Sequence, residues 1–364
     1  MYLVIGRFVR KFSTTFYKYP QPPVVTDRRG EFGRLKVALI ADHLTETCLS
    51  IECQVRNVTP DNYRDVLRSW RPDLLFVESA FHGSNGSWRY ELARQPRWLR
   101  FTTPGTIRRV VECARSRGIP TVFWNKDDAA FFEHFIDVAR HFDHVFTTDV
   151  TCVPRYRAVV PESTTVAPLM IAYQPMFHSF DGFGFSTSSA CFTGSYYRKI
   201  LNERRSYLDM LFQAAHEARA RIDVFDRNHD RFSRYFEFRF PKMDALCVHP
   251  RVPYWETGKL YKAHVLSINV NSVVHSGTMC SRRLLEILAC GGIVMTNPSL
   301  CVSRFFAPYC IIVSSQEEAR ETFARMRHGP DKQDMQRAAE GASYVRSAHT
   351  WGHRLRDICE IVDC

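Results

Sequence analysis

The segment 269–292 combines small polar residues, two arginines and a carboxylate in an order that could bind a nucleotide diphosphate. A strand-like apolar run ends near Val270, a turn of small residues follows, and Thr278 is suited to cap a helix that begins near Met279. Loop amides and the positive end of the helix dipole would then attract phosphate groups. The candidate binding residues of this segment are Asn271, Ser276, Gly277, Thr278, Met279, Arg282, Arg283 and Glu286.

Arg282, Arg283 and Glu286 have different roles in this interpretation. The two arginines would lie within about a turn and a half of the predicted helix start, close to a diphosphate. Glu286 would lie about two turns in and accept hydrogen bonds from a ribose diol. A simpler alternative stays open, in which Arg282 and Glu286 form an i,i+4 ion pair on a solvated face and Gly291 and Gly292 end the helix.

A second candidate for phosphate binding follows the predicted strand that ends at residue 193. Glycine there would let the backbone approach a diphosphate, and Arg198 or Lys199 would offset its charge, although Tyr196 could simply be a packing aromatic. The next strand ends at the same edge of the sheet, where Asp226 would bound a nucleotide pocket or merely cap a helix. The candidate residues at these strand ends are Gly194, Ser195, Tyr196, Arg198, Lys199, Asp226, Arg227 and Asn228.

Candidate proton-transfer groups follow the predicted strands of the first half of the chain. His82 lies in a loop rich in glycine and serine, and histidine ordinarily titrates near neutral pH, which suits a general base. It could equally be an ordinary exposed loop residue. Asp127 and Asp128 precede an apolar helix and could be N-caps, catalytic groups or both. The candidate catalytic residues are therefore His82, Asp127 and Asp128.

Short apolar runs alternate with helical patterns along the chain, which predicts parallel sheets covered by helices on both faces. The predicted strands are 36–41, 73–78, 120–124, 144–147, 165–170, 190–193, 222–225, 264–270, 292–296 and 310–313. The predicted helices are 60–70, 104–117, 129–141, 202–219, 279–290, 316–328 and 331–346. Two such α/β units in tandem predict two Rossmann-like, doubly wound domains.

Two domains are also expected because a chain of 364 residues exceeds what one hydrophobic core usually supports. Proline, glycine and a Ser/Thr run interrupt the pattern between 173 and 189, which predicts the boundary there. The predicted divisions are a basic tail at 1–30, a first domain at 31–178, a second domain at 179–345 and a C-terminal helix at 346–364. The first domain contains the candidate proton-transfer groups and would bind an acceptor substrate, and the second contains the candidate phosphate-binding residues and would bind a nucleotide donor. Ligands bind beyond the carboxyl ends of parallel strands, so the expected active site is a central cleft between the domains.

Composition indicates a soluble globular protein, because 45% of the residues are hydrophobic, 24% are charged and no apolar run approaches the length of a membrane span. The apolar run 3–5 near the start is too short for a secretory signal. We expect a cytoplasmic protein whose basic tail packs on its body. In the alternative, the tail lies on an anionic membrane surface as an amphipathic segment.

Twelve cysteines and fourteen histidines form no C-x-x-C pair and no H-E-x-x-H motif, so neither a metal site nor a disulfide framework is predicted. The net charge of +11 favours anionic partners. Its dispersal, with clusters at 94–100, 198–205 and 227–239, is not typical of nucleic-acid binding. A nucleotide diphosphate, an acidic glycan or a membrane surface fits equally well.

The block 280–289 resembles the donor-binding element of GT-B glycosyltransferases, in particular the spore-maturation-protein-like (glycosyl transferases group 1-like) family. The segments 123–128, 144–149, 192–197 and 224–228 are also similar to motifs of that family and occur in its order. The resemblance implies a GT-B fold whose C-terminal helix crosses back to the first domain.

The resemblance further implies a hexosyltransferase-type enzyme that moves a sugar from a nucleotide-diphosphate sugar to a glycan, lipid-linked or protein acceptor. No D-x-D motif occurs, so we expect Thr278, Arg282 and Lys199 or Arg198, instead of a metal cofactor, to stabilise the diphosphate. The helix Glu286 resembles retaining enzymes, whereas a histidine base would suit inversion. An epimerase or hydrolase of the same fold, a nucleotide-sugar-binding module and a polyanion-binding protein stay as alternatives.

Overall fold

The computed structural model of the chain describes residues 30–89, 91–94, 105–231 and 233–364. The predicted basic tail and its membrane-surface alternative, and most of the basic cluster at 94–100, lie outside these residues. Among the helices that are described, none has both the length and the apolar character needed to cross a bilayer.

Two compact units divide the chain, and each contains a parallel sheet of six strands. The first unit comprises the described residues up to Met170 together with Trp351–Cys364, and the second comprises Ile171–Thr350. The predicted boundaries at 178 and 345 both fall inside the second unit, near its two ends. The C-terminal helix belongs to the first unit, where the Trp351 ring packs edge-on against Trp124 at 5.5 Å between centroids.

The first sheet has the strand order β2-β1-β3-β4-β5-β6. Its strands are β1 (Lys36–Ile40), β2 (Gln54–Asn57), β3 (Leu74–Glu78), β4 (Thr121–Asn125), β5 (His144–Thr147) and β6 (Thr165–Pro168). The helices of this unit are α1 (His43–Glu52), α2 (Tyr63–Asp65, continued by a π-helical turn at Val66–Trp70), α3 (Gly105–Arg115), α4 (Phe132–Ala139), α5 (Val153–Arg157) and, at the C-terminus, α11 (Trp351–Val362).

The second sheet has the order β12-β11-β10-β7-β8-β9. Its strands are β7 (Thr187–Gly194), β8 (Ile222–Asp226), β9 (Leu246–His249), β10 (His264–Asn269), β11 (Val294–Thr296) and β12 (Cys310–Ile312). The helices are α6 (Asn202–Glu217), α7 (Thr257–Ala263), α8 (Arg282–Ala289), α9 (Gln316–Met326) and α10 (Lys332–Ala348).

The central strands β3 and β4 of the first sheet are buried along their whole length, which is why they can be recognised in the sequence as continuous apolar runs. Every residue of β3 and of β4 is buried, and Phe123 packs against Phe135 of α4 and Phe142 in the first core. The edge strands β2 and β9 are half-buried and carry polar residues, so they were missed as strands. Because all neighbouring strands run parallel, the carboxyl ends of each sheet gather the polar side chains that follow the strands.

Candidate active site

Helix α8 begins at Arg282, with Ser281 at the N-cap, so the prediction that Thr278 caps this helix is wrong. The later start makes Arg282 and Arg283 the first two helical residues, nearer to the positive end of the dipole than predicted. It also brings Glu286 to little more than one turn from the start.

In the turn before α8, side chains accept hydrogen bonds from backbone amides. The Ser276 Oγ accepts hydrogen bonds from the N–H groups of Thr278 at 3.3 Å and Met279 at 3.0 Å. The Asn271 Oδ1 accepts the N–H of Ser281 at 2.8 Å. Such local bonds compete with helix formation, and here they hold the chain in a turn up to residue 281.

Arg283 carries a buried charge that the rest of the described chain leaves without a hydrogen bond at two of its nitrogens. The side chain belongs to a residue that is 8% exposed, and its Nε and Nη1 have no hydrogen-bond partner among the described residues. Its guanidinium lies over the ring of Phe192, 4.9 Å from the centroid. Burial lowers the pKa of Arg283, and the nearby charge of Arg227 lowers it further. A buried cation of this kind is stabilised when an anion binds to it.

Arg204 of α6 places a second guanidinium beside the same aromatic ring. It lies 5.9 Å from the centroid of Phe192 and donates a 2.8 Å hydrogen bond from Nη1 to the carbonyl of Ser195. Burial, followed by the charge of Arg283, lowers the pKa of Arg204 to about 9. Two like charges are therefore held together at the carboxyl end of β7, which favours a ligand with more than one negative charge.

Arg204 was not among the predicted site residues, although the sequence contained a signal for it. The buried apolar residues of α6 include Leu208, Leu211, Phe212 and Ala215. Position 204 lies one turn before Leu208 on the same face, because residues four apart in a helix are neighbours. An arginine on the core-facing stripe of an amphipathic helix predicts a buried charge, which is a candidate for ligand binding.

Gly194 is where β7 ends, and its lack of a side chain lets the Arg283 guanidinium reach the strand end. A Cβ added at Gly194 would lie 2.7 Å from the Arg283 Nη2 and 2.9 Å from the ring of Phe192. The glycine therefore serves close approach of the arginine to the backbone, in addition to the predicted approach of a ligand.

Polar side chains join the ends of β7 and β8, as the sequence predicted for this edge. The Asn228 Nδ2 donates to the Ser195 Oγ at 2.8 Å, and the Arg227 N–H donates to the Gly194 carbonyl at 3.1 Å. Asp226 accepts the N–H of Asn228 at 2.9 Å in a turn. These bonds fix the backbone beside the two arginines.

The structure does not bring three of the predicted residues into this cluster. Tyr196 packs against Phe212 and Phe240, and its hydroxyl donates to Asp209 at 2.7 Å, so it is a core aromatic. Arg198 and Lys199 are exposed on the following loop. The mixture of arginine, lysine and tyrosine after β7 gave no indication of which side chains would turn inward.

Glu286 combines features of both interpretations considered for it. Its Oε1 lies 3.7 Å from the Nε of Arg282, so the i,i+4 pair forms. Its face is not solvated, however, because Glu286 is only 6% exposed. A buried carboxylate with a weak partner can still accept hydrogen bonds from a ligand.

The first unit contains a network of charges at the carboxyl ends of β1, β3 and β4. Glu78 is fully buried, and its Oε1 accepts hydrogen bonds from the Lys126 Nζ at 2.8 Å and the Asp42 N–H at 2.6 Å. Its Oε2 accepts from the Thr45 hydroxyl at 2.6 Å. The Lys126 Nζ also lies 3.2 Å from the Asp42 Oδ2. Lys126 thus joins two carboxylates that follow different strands.

Mutual compensation in this network sets the pKa values of its members. Burial raises the pKa of Glu78, and the Asp42 charge adds to this, while Lys126 opposes both. Burial alone would also raise the pKa of Asp42, but the charge and hydrogen bond of Lys126 outweigh it, so the pKa is lowered. For Lys126 itself, burial would lower the pKa, and the charges of Glu78 and Asp42 raise it instead. Lys126 therefore stays charged at any physiological pH.

Two of the three predicted catalytic residues adjoin this network. His82 is exposed and close enough to Asp42 that its charge contributes to lowering the Asp42 pKa, and the Gly83 N–H donates to the Asp42 Oδ1 at 3.0 Å. Asp127 accepts a 3.0 Å hydrogen bond from the Ser79 hydroxyl. His82 and Asp127 therefore lie at one strand edge, as expected, together with Asp42.

Asp128 is separate from the network and fully buried. Its carboxylate accepts hydrogen bonds from the Asn125 Nδ2 at 2.7 Å and the Thr147 hydroxyl at 2.6 Å, and burial raises its pKa to about 7. Helix α4 begins only at Phe132, so the prediction that Asp127 or Asp128 caps it is wrong. The contacts of Asp128 are those of a residue that positions the ends of β4 and β5.

Part of the chain matches a known protein family, and several solved structures share its fold. Residues 204–360, which include both buried arginines, match the family model described as glycosyl transferase-like. No curated protein sequence matches the chain. HepE of Anabaena, solved with UDP and glucose, is similar with a TM-score of 0.53 and 11% identity over 90% of this chain and 91% of that one.

Two further structures resemble the chain over slightly less of its length. TarM of S. aureus, solved as a G117R mutant with fondaparinux, alpha-GlcNAc-glycerol and UDP, has a TM-score of 0.51 and 8% identity over 84% of this chain and 59% of that one. The trehalose 6-phosphate synthase of Burkholderia multivorans has a TM-score of 0.50 and 9% identity over 81% and 73%. The fold is GT-B. At these identities the GT-B likeness establishes the architecture, and the chemistry has to be argued from the site.

Proposed function

We propose that the chain is a glycosyltransferase that uses a nucleotide-diphosphate sugar as donor and binds the diphosphate at Arg283 and Arg204. The observation that carries this proposal is the buried guanidinium of Arg283 beside the glycine that ends β7, because two of its nitrogens have no hydrogen bond from any described residue. The match of residues 204–360 to a glycosyl transferase-like family supports it, as does the UDP bound by the similar HepE and TarM structures.

The reaction would depend on stabilising the charge that develops on the leaving diphosphate. Arg283 and Arg204 would provide this stabilisation, since both are buried and therefore act in a medium of low dielectric constant. Glu286 would orient the ribose by exchanging its 3.7 Å contact with Arg282 for shorter hydrogen bonds. Thr278 and the exposed Arg198 or Lys199 would add contacts from the surrounding loops.

The first unit would supply the group that takes the proton from the acceptor hydroxyl. His82 is the proposed base, because it is exposed and adjoins the carboxylate of Asp42, which would stabilise its protonated form. Lys126 and Glu78 would hold Asp42 in place.

The finer features of the enzyme remain part of the proposal. We propose hexosyl transfer without a metal cofactor, to a glycan, lipid-linked or protein acceptor, by a member of the spore-maturation-protein-like family. A cytoplasmic protein with peripheral contact to anionic membrane, and without a nucleic-acid partner, fits the basic sequence.

The donor site is tested by calorimetric titration with UDP, GDP, ADP, TDP and CMP in the presence of a chelator. We expect micromolar binding of one nucleoside diphosphate. Arg283→Met should weaken it at least a hundredfold, about 2.7 kcal/mol, because methionine keeps the volume and removes the charge. Arg320→Met, at an exposed arginine of α9, is the matched control and should bind as the wild type does. Binding that survives Arg283→Met would refute the site.

The type of activity is tested by incubating the identified donor alone and then with panels of glycan and lipid-linked acceptors. A product that forms only with an acceptor supports transfer. Hydrolysis or epimerisation of the donor alone would favour the same-fold alternatives, and binding without turnover would favour a binding module. Equal affinity for inorganic phosphate, with steep dependence on salt, would favour a polyanion-binding protein.

A further inference from the structure

A second cluster of side chains lies on β8, β9 and β10 of the second sheet, apart from the proposed donor site. We propose that Asp223 of β8, Cys247 and His249 of β9 and His264 of β10 bind a divalent transition metal ion of the zinc type. The ligand atoms of Asp223, Cys247 and His249 all lie within 4.8 Å of one another. Carboxylate oxygen, thiolate sulfur and imidazole nitrogen are the ligands that zinc uses in proteins.

Two distances within the cluster are near those between neighbouring ligands of a tetrahedral site. The Nε2 of His264 lies 3.5 Å from the Asp223 Oδ2, and the Nε2 of His249 lies 2.8 Å from the Asp223 Oδ1. With metal–nitrogen and metal–oxygen bonds of about 2.0–2.1 Å, neighbouring tetrahedral ligands are roughly 3.3 Å apart. Movements of the ligand atoms by a few tenths of an ångström to about 1 Å would therefore bring them to this separation.

The tautomer of His264 is the detail that points to a cation. Its Nδ1 lies 2.8 Å from the carbonyl of Leu260, so the Nδ1 must carry a proton and donate. In the neutral ring the Nε2 then presents a lone pair to the Asp223 carboxylate, and both groups are acceptors. A cation between them satisfies both, and a histidine whose other nitrogen donates to a backbone carbonyl is the usual arrangement in metal sites.

The other members of the cluster are also prepared for metal binding. The His249 ring stacks on Phe225 at 4.9 Å, which limits its rotation. Burial alone would raise the pKa of Asp223, but hydrogen bonds from Ser189, His249 and Arg221 lower it to about 2, so its carboxylate is ionised. A cavity of about 340 Å³ adjoins Asp223 and is also lined by Ser189 and Arg221.

Arg221 is the competing cation. Its Nη2 lies 2.8 Å from the Asp223 Oδ1, but its side chain is 59% exposed and can move into solvent when a metal binds. Removing this charge should therefore strengthen metal binding, whereas a cluster that is only a hydrogen-bond network would gain nothing.

The ion would act apart from the diphosphate. Asp223 precedes Asp226 by three residues, about 10 Å along β8 at 3.3 Å per residue. A metal there would join the edge strand β9 to β8 and β10, which stabilises the sheet that carries the donor site. The proposal is therefore independent of the proposed activity and compatible with transfer that needs no metal.

The test is titration of the full-length chain, reduced and freed of metal with a chelator, with Co²⁺ as the probe. We expect one equivalent per chain, a thiolate-to-cobalt charge-transfer band, intense tetrahedral d–d bands, and displacement of all bands by Zn²⁺. Cys247→Ser should abolish the charge-transfer band, and His249→Ala should weaken binding at least tenfold. The matched controls are Cys113→Ser and His328→Ala, which should bind as the wild type does.

Arg221→Gln keeps the proposal testable if a ligand variant fails to fold, because Arg221 is exposed. We expect it to bind Co²⁺ at least threefold more tightly. Zn²⁺ should raise the melting temperature of the wild type and leave that of Cys247→Ser unchanged. A charge-transfer band that persists in Cys247→Ser, the absence of tetrahedral binding in the wild type, or equal affinity in Arg221→Gln would each overturn the proposal.

Discussion

Each sheet has a cation at its carboxyl end, but among the described residues only Lys126 of the first sheet is hydrogen-bonded to carboxylates. In the first unit the Lys126 ammonium lies 2.8 Å from Glu78 and 3.2 Å from Asp42. In the second unit Arg283 is similarly buried, and two of its nitrogens have no hydrogen bond among the described residues.

The difference separates a charge that maintains structure from one that is suited to bind a ligand. Burying a cation costs free energy in both units. The first unit offsets this cost with its own carboxylates, so Lys126 holds three strand ends in a fixed geometry. The second unit leaves part of the cost to be offset by an anion, and an uncompensated charge is therefore the stronger indication of a binding site.

The largest expected effect is on folding, from Lys126→Met. Removing the ammonium leaves Glu78 and Asp42 together without a counter-ion, which should lower the free energy of unfolding by about 3–5 kcal/mol at neutral pH. Glu78 would then take up a proton more readily, and a raised carboxyl pKa adds stability at low pH that is lost as the pH rises. The loss should therefore be smaller at pH 5 than at pH 8, as measured by denaturant unfolding.

Two matched variants test the difference between Lys126 and Arg283. Lys262→Met removes a partly exposed ammonium 2.7 Å from the exposed Asp181, and the free energy of unfolding should change by no more than about 0.5 kcal/mol. Arg283→Met should leave the free energy of unfolding unchanged or raised, since it removes a charge that lacks full compensation. A loss with Arg283→Met as large as that with Lys126→Met would show that the second cation is compensated after all.

The next effect concerns Asp128, which separates a positioning role from the predicted catalytic one. Burial raises its pKa from the ordinary 3.8 to about 7, so the unfolded chain releases the proton first and stability falls as the pH rises between these values. Between pH 5 and pH 8 this loss should be about 2–3 kcal/mol in the wild type and absent in Asp128→Asn.

Activity provides the second measurement on Asp128→Asn. We expect kcat to stay within about threefold of the wild type, because the asparagine occupies the same space between the ends of β4 and β5. The kcat of His82→Gln, which changes the proposed base, is measured for comparison. A hundredfold fall of kcat in Asp128→Asn with KM unchanged would show instead that Asp128 is a catalytic residue.

The smallest expected effect is from Gly194→Ala. The added methyl would lie 2.7 Å from the Arg283 Nη2 and would push the guanidinium away from the strand end, which should weaken nucleotide binding about tenfold, or 1.4 kcal/mol. Gly184→Ala is the control, because nothing lies within 4 Å of a Cβ there. If calorimetry gave the two variants equal affinity for the nucleotide, Gly194 would not be part of the donor site.

The order of strands and helices was largely predictable, since central parallel strands are buried on both faces and appear as apolar runs. All ten predicted strands are present, whereas the half-buried edge strands β2 and β9, of only 4 residues each, were not predicted. The start of α8 was wrong by three residues, because Ser276 and Asn271 bind its preceding amides through contacts that a cap pattern does not reveal.

The candidate site was predictable as a region but less so as a set of side chains. The sequence identified the strand end at Gly194 and the arginine pair before Glu286, and it passed over Arg204 of α6. It treated Tyr196 as a ligand contact, although the ring belongs to the core. The sequence predicted no metal site because its cysteines and histidines lack the spacing of known ligand motifs. The ligands of the proposed cluster come instead from three different strands, which such motifs do not cover.

The sequence by itself determined the alternation of buried strands and helices, and with it the edges where polar side chains collect. The tertiary structure alone decided which charges are compensated: Lys126 meets two carboxylates, Arg283 has two nitrogens that no described residue hydrogen-bonds, and Asp223 faces two histidines. The reason is physical. Apolar periodicity is a local property of the chain, whereas the energy of a charge depends on its burial and on neighbours that are distant in sequence.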